Sequence, residues 1–332
     1  MKTICYYHND ADGILSAAIV NHNVEGKKVF IKSDYGIKID WELIEPDDVV
    51  YIVDFSFPPY EMDTMCLAAE KVVWIDHHIS AIKKWEEHLR EMRLKYPDFP
   101  DIEGIRTVGI SGCQNTELYF RKDIPEWYNG SKNSRLVETI GTFDVWNKKN
   151  PYVSFDDAIN CMLGMLERGL GPESEEFDLY FSLSYNAGNS PIADVLLTDA
   201  LIDDGKIVQK YLDNYQNKKI SESAFETILF GKKTIAVNCL LSGSQPLQEK
   251  YREGCFDLMC VYHFDGKLWK YSFYTEKDNV DCSFIAISLA KDDTKIGGGH
   301  KKAAGCSLTK NIFDNRIPIL EETAKDIGLN NK

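Results

Sequence analysis

The chain is short of positive charge. Its 38 lysines and arginines face 52 aspartates and glutamates, a formal net charge of -14 over 332 residues. A surface of that sign argues against gripping long nucleic acid through its phosphates. A short phosphorylated ligand stays open, because bound cations and a few local lysines can supply the positive field. Long apolar runs are missing too, and none approaches the length of a membrane span. Residues 1–25 open with Met1-Lys2-Thr3 and soon carry acids, so they do not read as a secretory leader. The nine cysteines are odd in number and scattered, and no two form a C-x-x-C pair. That pattern speaks against a disulfide framework or a thiolate zinc site, and for reduced thiols in a cytoplasmic protein. There is no internal repeat and no low-complexity tract. Lysine pairs such as Lys83-Lys84 are spread along the chain and read as solvated surface.

What remains is a chain with 44% hydrophobic residues, enough for two globular cores. Residues 1–78 alternate between strand and helix signals. The stretches 2–7, 28–32, 49–53 and 72–75 read as strands, with helices over 13–22 and 62–71. The runs 49–53 and 72–75 are nearly all apolar, which suits parallel strands buried on both faces. Helices are expected over 80–95, 113–122 and 135–143, with a possible strand at 104–110. Residues 150–222 read as mostly helical, with breaks at 169–172 and 188–191. From residue 225 the texture changes: 234–241, 258–264 and 269–274 read as strands, with a hairpin at Asp265-Gly266 and a helix over 282–291. The expected class is α/β. An N-terminal parallel-sheet domain (1–150) is joined by a helical connector (151–222) to a smaller α/β domain (223–332).

Three acid clusters each follow a short β-type run. They are His8-Asn9-Asp10-Ala11-Asp12-Gly13, then Asp54 after Val53, then Asp76-His77-His78 after Ile75. In an open α/β sheet that is the carboxyl edge, where ligands bind. Histidines with carboxylates favour a borderline-hard divalent ion such as manganese over a thiolate-loving one. The first cluster can also be read as a polar turn, with Asp12 capping the next helix. Adjacent histidines suit divided roles, one on metal and one on a substrate phosphate. A fourth signal is Gly297-Gly298-Gly299-His300-Lys301-Lys302-Ala303-Ala304-Gly305. Glycines there permit close backbone approach and offer N–H groups to an anion, and the lysines add positive charge. The alternative is a flexible turn.

With these motifs the chain resembles the DHH phosphoesterase superfamily over nearly its whole length. Asp76-His77-His78 is the eponymous triplet, and His8–Gly13 fits the family's H-x-D-x-D-G motif. Asp54 fits the second motif, and Thr139-Ile140-Gly141-Thr142-Phe143-Asp144-Val145-Trp146 fits the fourth. Gly297–Gly305 fits the GGGH signature of the family's associated C-terminal domain. The resemblance implies an active site in a cleft between two domains and a pair of divalent cations, Mn2+ above all. It implies that Asp54 bridges the ions. His8 and Asp10 would complete one shell, and Asp12, His77 and Asp144 the other. Asp76 would orient a ligand histidine, His78 would contact the scissile phosphate, and His300 would bind a phosphate oxygen. Gly297, Gly298, Gly299 and Lys301 would line the nucleotide pocket.

One departure from the family pattern falls at Ser272-Phe273-Tyr274-Thr275. Small nanoRNase-type members often carry a phosphate-binding arginine where Tyr274 stands. That puts adenosine bisphosphate in doubt as a main substrate. Tyr274 could stack on a base, or it could fill the core. The reading is a manganese-dependent phosphodiesterase that hydrolyses short oligonucleotides or dinucleotides, with neither long duplex nor membrane as partner. Oligomeric state is left open. The alternatives are a cyclic- or linear-dinucleotide phosphodiesterase in signalling, a RecJ-type exonuclease, and a non-catalytic nucleotide sensor.

Overall fold

A computed structural model describes residues 1–34, 37–121, 134–183, 191–240 and 247–314. The chain forms two compact units, 1–209 and 210–332, and each is α/β with a sheet of its own.

The first unit is built on four parallel strands: β1 (Thr3–His8), β2 (Lys28–Ser33), β3 (Val49–Val53) and β4 (Lys71–Ile75). Their spatial order is β2-β1-β3-β4. The chain leaves β1 through helix α1 (Ala11–Asn23) and lays β2 on one side of it. It then returns to lay β3 on the other. The direction of winding therefore reverses between β1 and β3. Loops diverge at such a switch point and leave a crevice at the carboxyl ends. His8 ends β1 and Asp54 follows β3 immediately.

The apolar runs of β1, β3 and β4 are buried on both faces, as their composition predicts. One core holds Leu15, Ile19 and Val53, and also Phe177, Tyr180 and Phe181 from α7 (Glu175–Phe181) and Cys161 and Met165 from α6 (Phe155–Glu167). Much of the stretch read as a connector thus packs into the first unit. The other core holds Ile52, Phe55, Phe57 and Trp74, with Trp85 from α3 (Ile79–Lys95). The Trp74 indole N–H donates to the Phe55 carbonyl at 2.9 Å, which fixes the chain just past β3.

Helix α2 (Pro59–Ala68) starts three residues before its expected position, because Pro59 can open a helix without losing a hydrogen bond. The strand expected over 104–110 does not form. Glu103 makes a single bridge to Val73, and Gly104 turns away at φ +142°. Two further helices complete the frame of the site: α4 (Gly112–Phe120) and α5 (Arg135–Asp144). The break expected at 188–191 lies largely outside the described residues. Helix α8 (Pro191–Ser223) carries the boundary between the units.

Among the described residues the second unit has six strands in the order β5-β6-β7-β8-β10-β9. These are β5 (Phe225–Leu229), β6 (Lys232–Asn238), β7 (Leu258–Phe264), β8 (Trp269–Tyr274), β9 (Gly297–Gly299) and β10 (Ala303–Leu308). Only β6 and β7 pair in parallel, so the sheet is mixed. Asp265 makes the expected hairpin. Its carboxylate accepts the N–H groups of Lys267 and Leu268, both at 2.8 Å, and these bonds hold its pKa down to about 2. Helices α9 (Gln248–Glu253) and α10 (Cys282–Ala290) accompany the sheet. Among the described residues no helix is long and apolar enough to cross a membrane.

Leu15 of α1 is fully buried, whereas Leu67 is 89% exposed. Leu15→Ala should cost about 2–5 kcal/mol of stability, and Leu67→Ala should stay within about 0.5 kcal/mol. Urea unfolding monitored by tryptophan fluorescence would measure both. Equal costs would contradict the assignment of this core.

Candidate metal centre

Five acids and three histidines meet at the carboxyl edge of the first sheet. Asp54 occupies the middle. Its Oδ2 lies 3.9 Å from His8 Nδ1, and its Oδ1 lies 3.2 Å from His77 Nε2. The two oxygens thus face two different sets of groups. On one side stand His8 and Asp10, with His8 Nδ1 2.6 Å from Asp10 Oδ2. On the other, His77 Nε2 is 3.4 Å from Asp144 Oδ2 and 3.9 Å from Asp12 Oδ2. The ligand atoms of His8, Asp10 and Asp54 lie within 4.8 Å of one another, and so do those of Asp12, His77 and Asp144. Asp54 is fully buried and sits at φ +52°, a strained backbone for a residue with a side chain. Strain of that kind, about 1–3 kcal/mol, persists where surrounding structure enforces it.

The neighbours lock most of these side chains. Asp10 caps α1, accepting the Gly13 N–H at 2.9 Å. The alternative reading of this cluster as a polar turn put that cap on Asp12. Asp12 instead accepts the N–H groups of Gly112 (2.7 Å) and Cys113 (2.9 Å), the first two residues of α4. The positive end of that helix therefore holds a carboxylate from a hundred residues away. Asp76 accepts the His77 and His78 backbone N–H groups and pairs with His78 Nδ1 at 2.7 Å. The histidine it orients is thus His78. Asp144 ends α5, which packs against α4 at Gly141. A Cβ there would meet Gln114 Cδ at 2.6 Å. Gln114 also closes a capping box with Ser111 and donates to Glu138 of α5 at 2.9 Å.

The electrostatics follow from this crowding. Burial, reinforced by Asp12, Asp10 and Asp144, pushes Asp54 well above the usual carboxylate range. Burial with Asp12 and Asp10 pushes Asp144 up to about 8. Burial lowers His77, so its ring is poised neutral, as a metal ligand must be. His78 is raised by its bond to Asp76, and His8 by its bond to Asp10. For Asp10, burial acts upward, but the bonds from His8 and Gly13 outweigh it and hold the carboxyl low.

These residues fit a pair of divalent cations. Both Asp54 oxygens, His77 Nε2 and Asp144 Oδ2 are buried and make no hydrogen bond among the described residues. Buried polar atoms without partners are expensive unless something else satisfies them. Nitrogen and carboxylate donors, with no thiolate, suit ions of the Mn2+ and Mg2+ kind.

The remaining expected residues belong to the second unit. Gly297, Gly298 and Gly299 form β9, and His300 turns the chain back. His300 N–H donates to Ala303 at 2.7 Å and accepts its N–H in return at 3.2 Å. His300 and Lys301 are exposed, and Tyr274, paired in register with Ala303, is half-buried against the Ile235–Met259 cluster. Sequence reasoning missed Gly112 and Cys113, whose amides hold Asp12. The Ser111-x-x-Gln114 capping signature marks that helix start, although nothing in it says what the amides bind.

No family model matches the chain, and no curated protein does. Solved structures do match. One is the pGpG-specific phosphodiesterase PggH from Vibrio cholerae, 10% identical, with 100% of each chain covered and a TM-score of 0.48. Another is an exonuclease RecJ bound to manganese, 14% identical, covering 98% of this chain and 90% of that one at TM-score 0.47. A third is an exopolyphosphatase-related protein from Bacteroides fragilis, 14% identical, covering 98% and 92% at TM-score 0.42. With identities and scores this low, the chemistry of this chain has to be read from its own residues.

Two outcomes are expected. A Cβ on Gly112 would fall 2.5 Å from Asp54 Cβ. Gly112→Ala should therefore weaken Mn2+ binding by about 10–100-fold while the second unit stays folded, as titration calorimetry would show. Unchanged affinity would remove Gly112 from the site. The second concerns pH. An unfolded aspartate titrates near 4, and Asp144 titrates at about 8 when folded. Across that window the cation-free protein keeps a proton the unfolded chain has released, so its stability falls as pH rises. A cation must displace that proton. Mn2+ should raise Tm more at about pH 8 than at about pH 5, and a shift independent of pH would contradict the buried carboxylates.

Proposed function

We propose that this chain is a DHH-type phosphodiesterase that uses two divalent cations, Mn2+ foremost, to hydrolyse short oligonucleotides or dinucleotides to mononucleotides. The observation that carries the reading is the placement of Asp54, with one oxygen toward each of two ligand sets. When bound, the cations lower the pKa of a water and neutralise charge on the phosphoryl oxygens. The chain's own residues do the rest. His78, raised above its ordinary value and held by Asp76, presents a donor to a phosphoryl oxygen. Asp12, held by two backbone amides, keeps one ligand set in place without spending its charge on a side chain. Overall, the water oxygen bonds to phosphorus, the ester P–O bond breaks, and a phosphomonoester and a hydroxyl group leave.

In the second unit we assign Gly297, Gly298, Gly299, His300 and Lys301 to holding a phosphate or ribose, with Tyr274 as a base contact. The exposure of Gly299, His300 and Lys301 and the N–H groups of the glycine strand support this. The acidic surface favours short substrates, about two to five nucleotides. Nine free thiols suit a cytoplasmic setting.

The test is a Mn2+-supplemented panel of RNA and DNA from dinucleotides to decanucleotides, with cyclic dinucleotides, adenosine bisphosphate and pyrophosphate, and products resolved by chromatography. Dinucleotides should be cleaved, and chelation should stop the reaction. Asp54→Asn should cut kcat by roughly 10²–10³-fold or more. Faster degradation per end of a long single strand would favour an exonuclease. Activity unaffected by Asp54→Asn would remove the two-cation centre from the chemistry.

A further inference from the structure

Beside the metal centre, on the first unit, lies a pocket of about 430 Å³ that the chemistry above leaves unused. Phe55 and Phe57, from the segment after β3, line it, with Trp85 from α3 and the exposed Tyr60. The pocket adjoins the ligand residues directly. Phe55 follows Asp54, and its ring stacks on the His8 imidazole at 6.5 Å and 13° between planes. Ser80, another lining residue, stands two positions after His78. Lys38 and Lys84 also line it, both exposed. Among the described residues neither lysine forms an ion pair, although the chain carries an excess of acids over bases.

We propose that this pocket holds a nucleobase of the substrate while the neighbouring phosphate lies at the metal centre. The inference rests on the phosphoesterase reading of that centre. The shape and chemistry favour a base over an aliphatic group. Tyr60 presents an exposed ring that can stack on any base, above an apolar floor made by the buried Phe55, Phe57 and Trp85. The volume lies near the lower end of small-ligand sites, so it takes one nucleoside and not two. The two lysines offset the charge of a phosphate on the same nucleotide, which an apolar occupant would not need. Glu61 also lines the pocket, and its carboxylate accepts the Tyr60 hydroxyl at 3.0 Å. That carboxylate is a ready acceptor for the amino group of adenine, cytosine or guanine.

The experiment uses the full chain without added cation, so no turnover enters the readout. Binding of AMP and of ribose 5-phosphate is measured by titration calorimetry and by quenching of tryptophan fluorescence, since Trp74 and Trp85 both line the pocket. AMP should bind at least about tenfold tighter than ribose 5-phosphate. Ser80→Trp fills the pocket from its exposed side, and Tyr60→Ala removes one exposed ring. Each should weaken AMP by roughly tenfold with Tm held near wild type. Equal binding of the two ligands, or AMP binding untouched by both substitutions, would overturn the proposal. AMP binding that follows this pattern in a protein with no hydrolytic activity would leave the pocket in place and count against the metal-centre reading alone.

Discussion

Mutual repulsion among carboxylates is the constraint around which the first unit is arranged. Asp10, Asp12, Asp54, Asp76 and Asp144 converge on one strand edge, and burial, reinforced by that crowding, pushes Asp54 and Asp144 far up. A fold can carry such a cluster only if other groups answer most of the charge. Backbone amides answer Asp10, Asp12 and Asp76. Both oxygens of Asp54, and one each of Asp76 and Asp144, are buried without a hydrogen-bond partner among the described residues. The amides fix the frame, and the oxygens left over face the middle of the cluster.

The sheet topology explains why so few elements suffice. A switch between β1 and β3 puts two strand ends beside a crevice, and β4 adds the third. The fifth acid, Asp144, arrives on α5, held at the right depth by its packing through Gly141 against α4. The same β3 exit that positions Asp54 sends Phe55 and Phe57 the other way, into the aromatic pocket.

That His8, Asp54 and Asp76-His77-His78 gather at one sheet edge was legible in the sequence, because each follows an apolar run that reads as a buried strand. The addition of Asp144, and the division of these residues into two ligand sets, came only from the resemblance. What stayed hidden was carried by backbone rather than by side-chain type. The amides of Gly112 and Cys113 hold Asp12, yet any residue has an N–H, so composition gives no sign of them. In the alternative reading of the first cluster as a polar turn, Asp12 caps α1; the cap falls two residues earlier, at Asp10, because the tether to α4 takes Asp12 away. The strand expected over 104–110 failed because Gly104 leaves the sheet after one bridge. Strand β9 escaped notice for the opposite reason: three glycines carry no strand preference, and only pairing with β10 extends them.

The anchoring of Asp12 by the first turn of α4 also bears on which ion the site accepts. Calcium asks for six to eight oxygens at roughly 2.3–2.6 Å and a shell that can spread to admit them, whereas magnesium-sized ions keep about 2.0–2.1 Å and six ligands. A carboxylate held by two amides cannot swing outward or turn to bind through both oxygens without breaking bonds to the helix. With Asp10 held by its own helix start, the aperture is set by the spacing of two helix N-termini rather than by flexible side chains. For an ion bound there, size selection would be a property of the scaffold and would work against the larger ion.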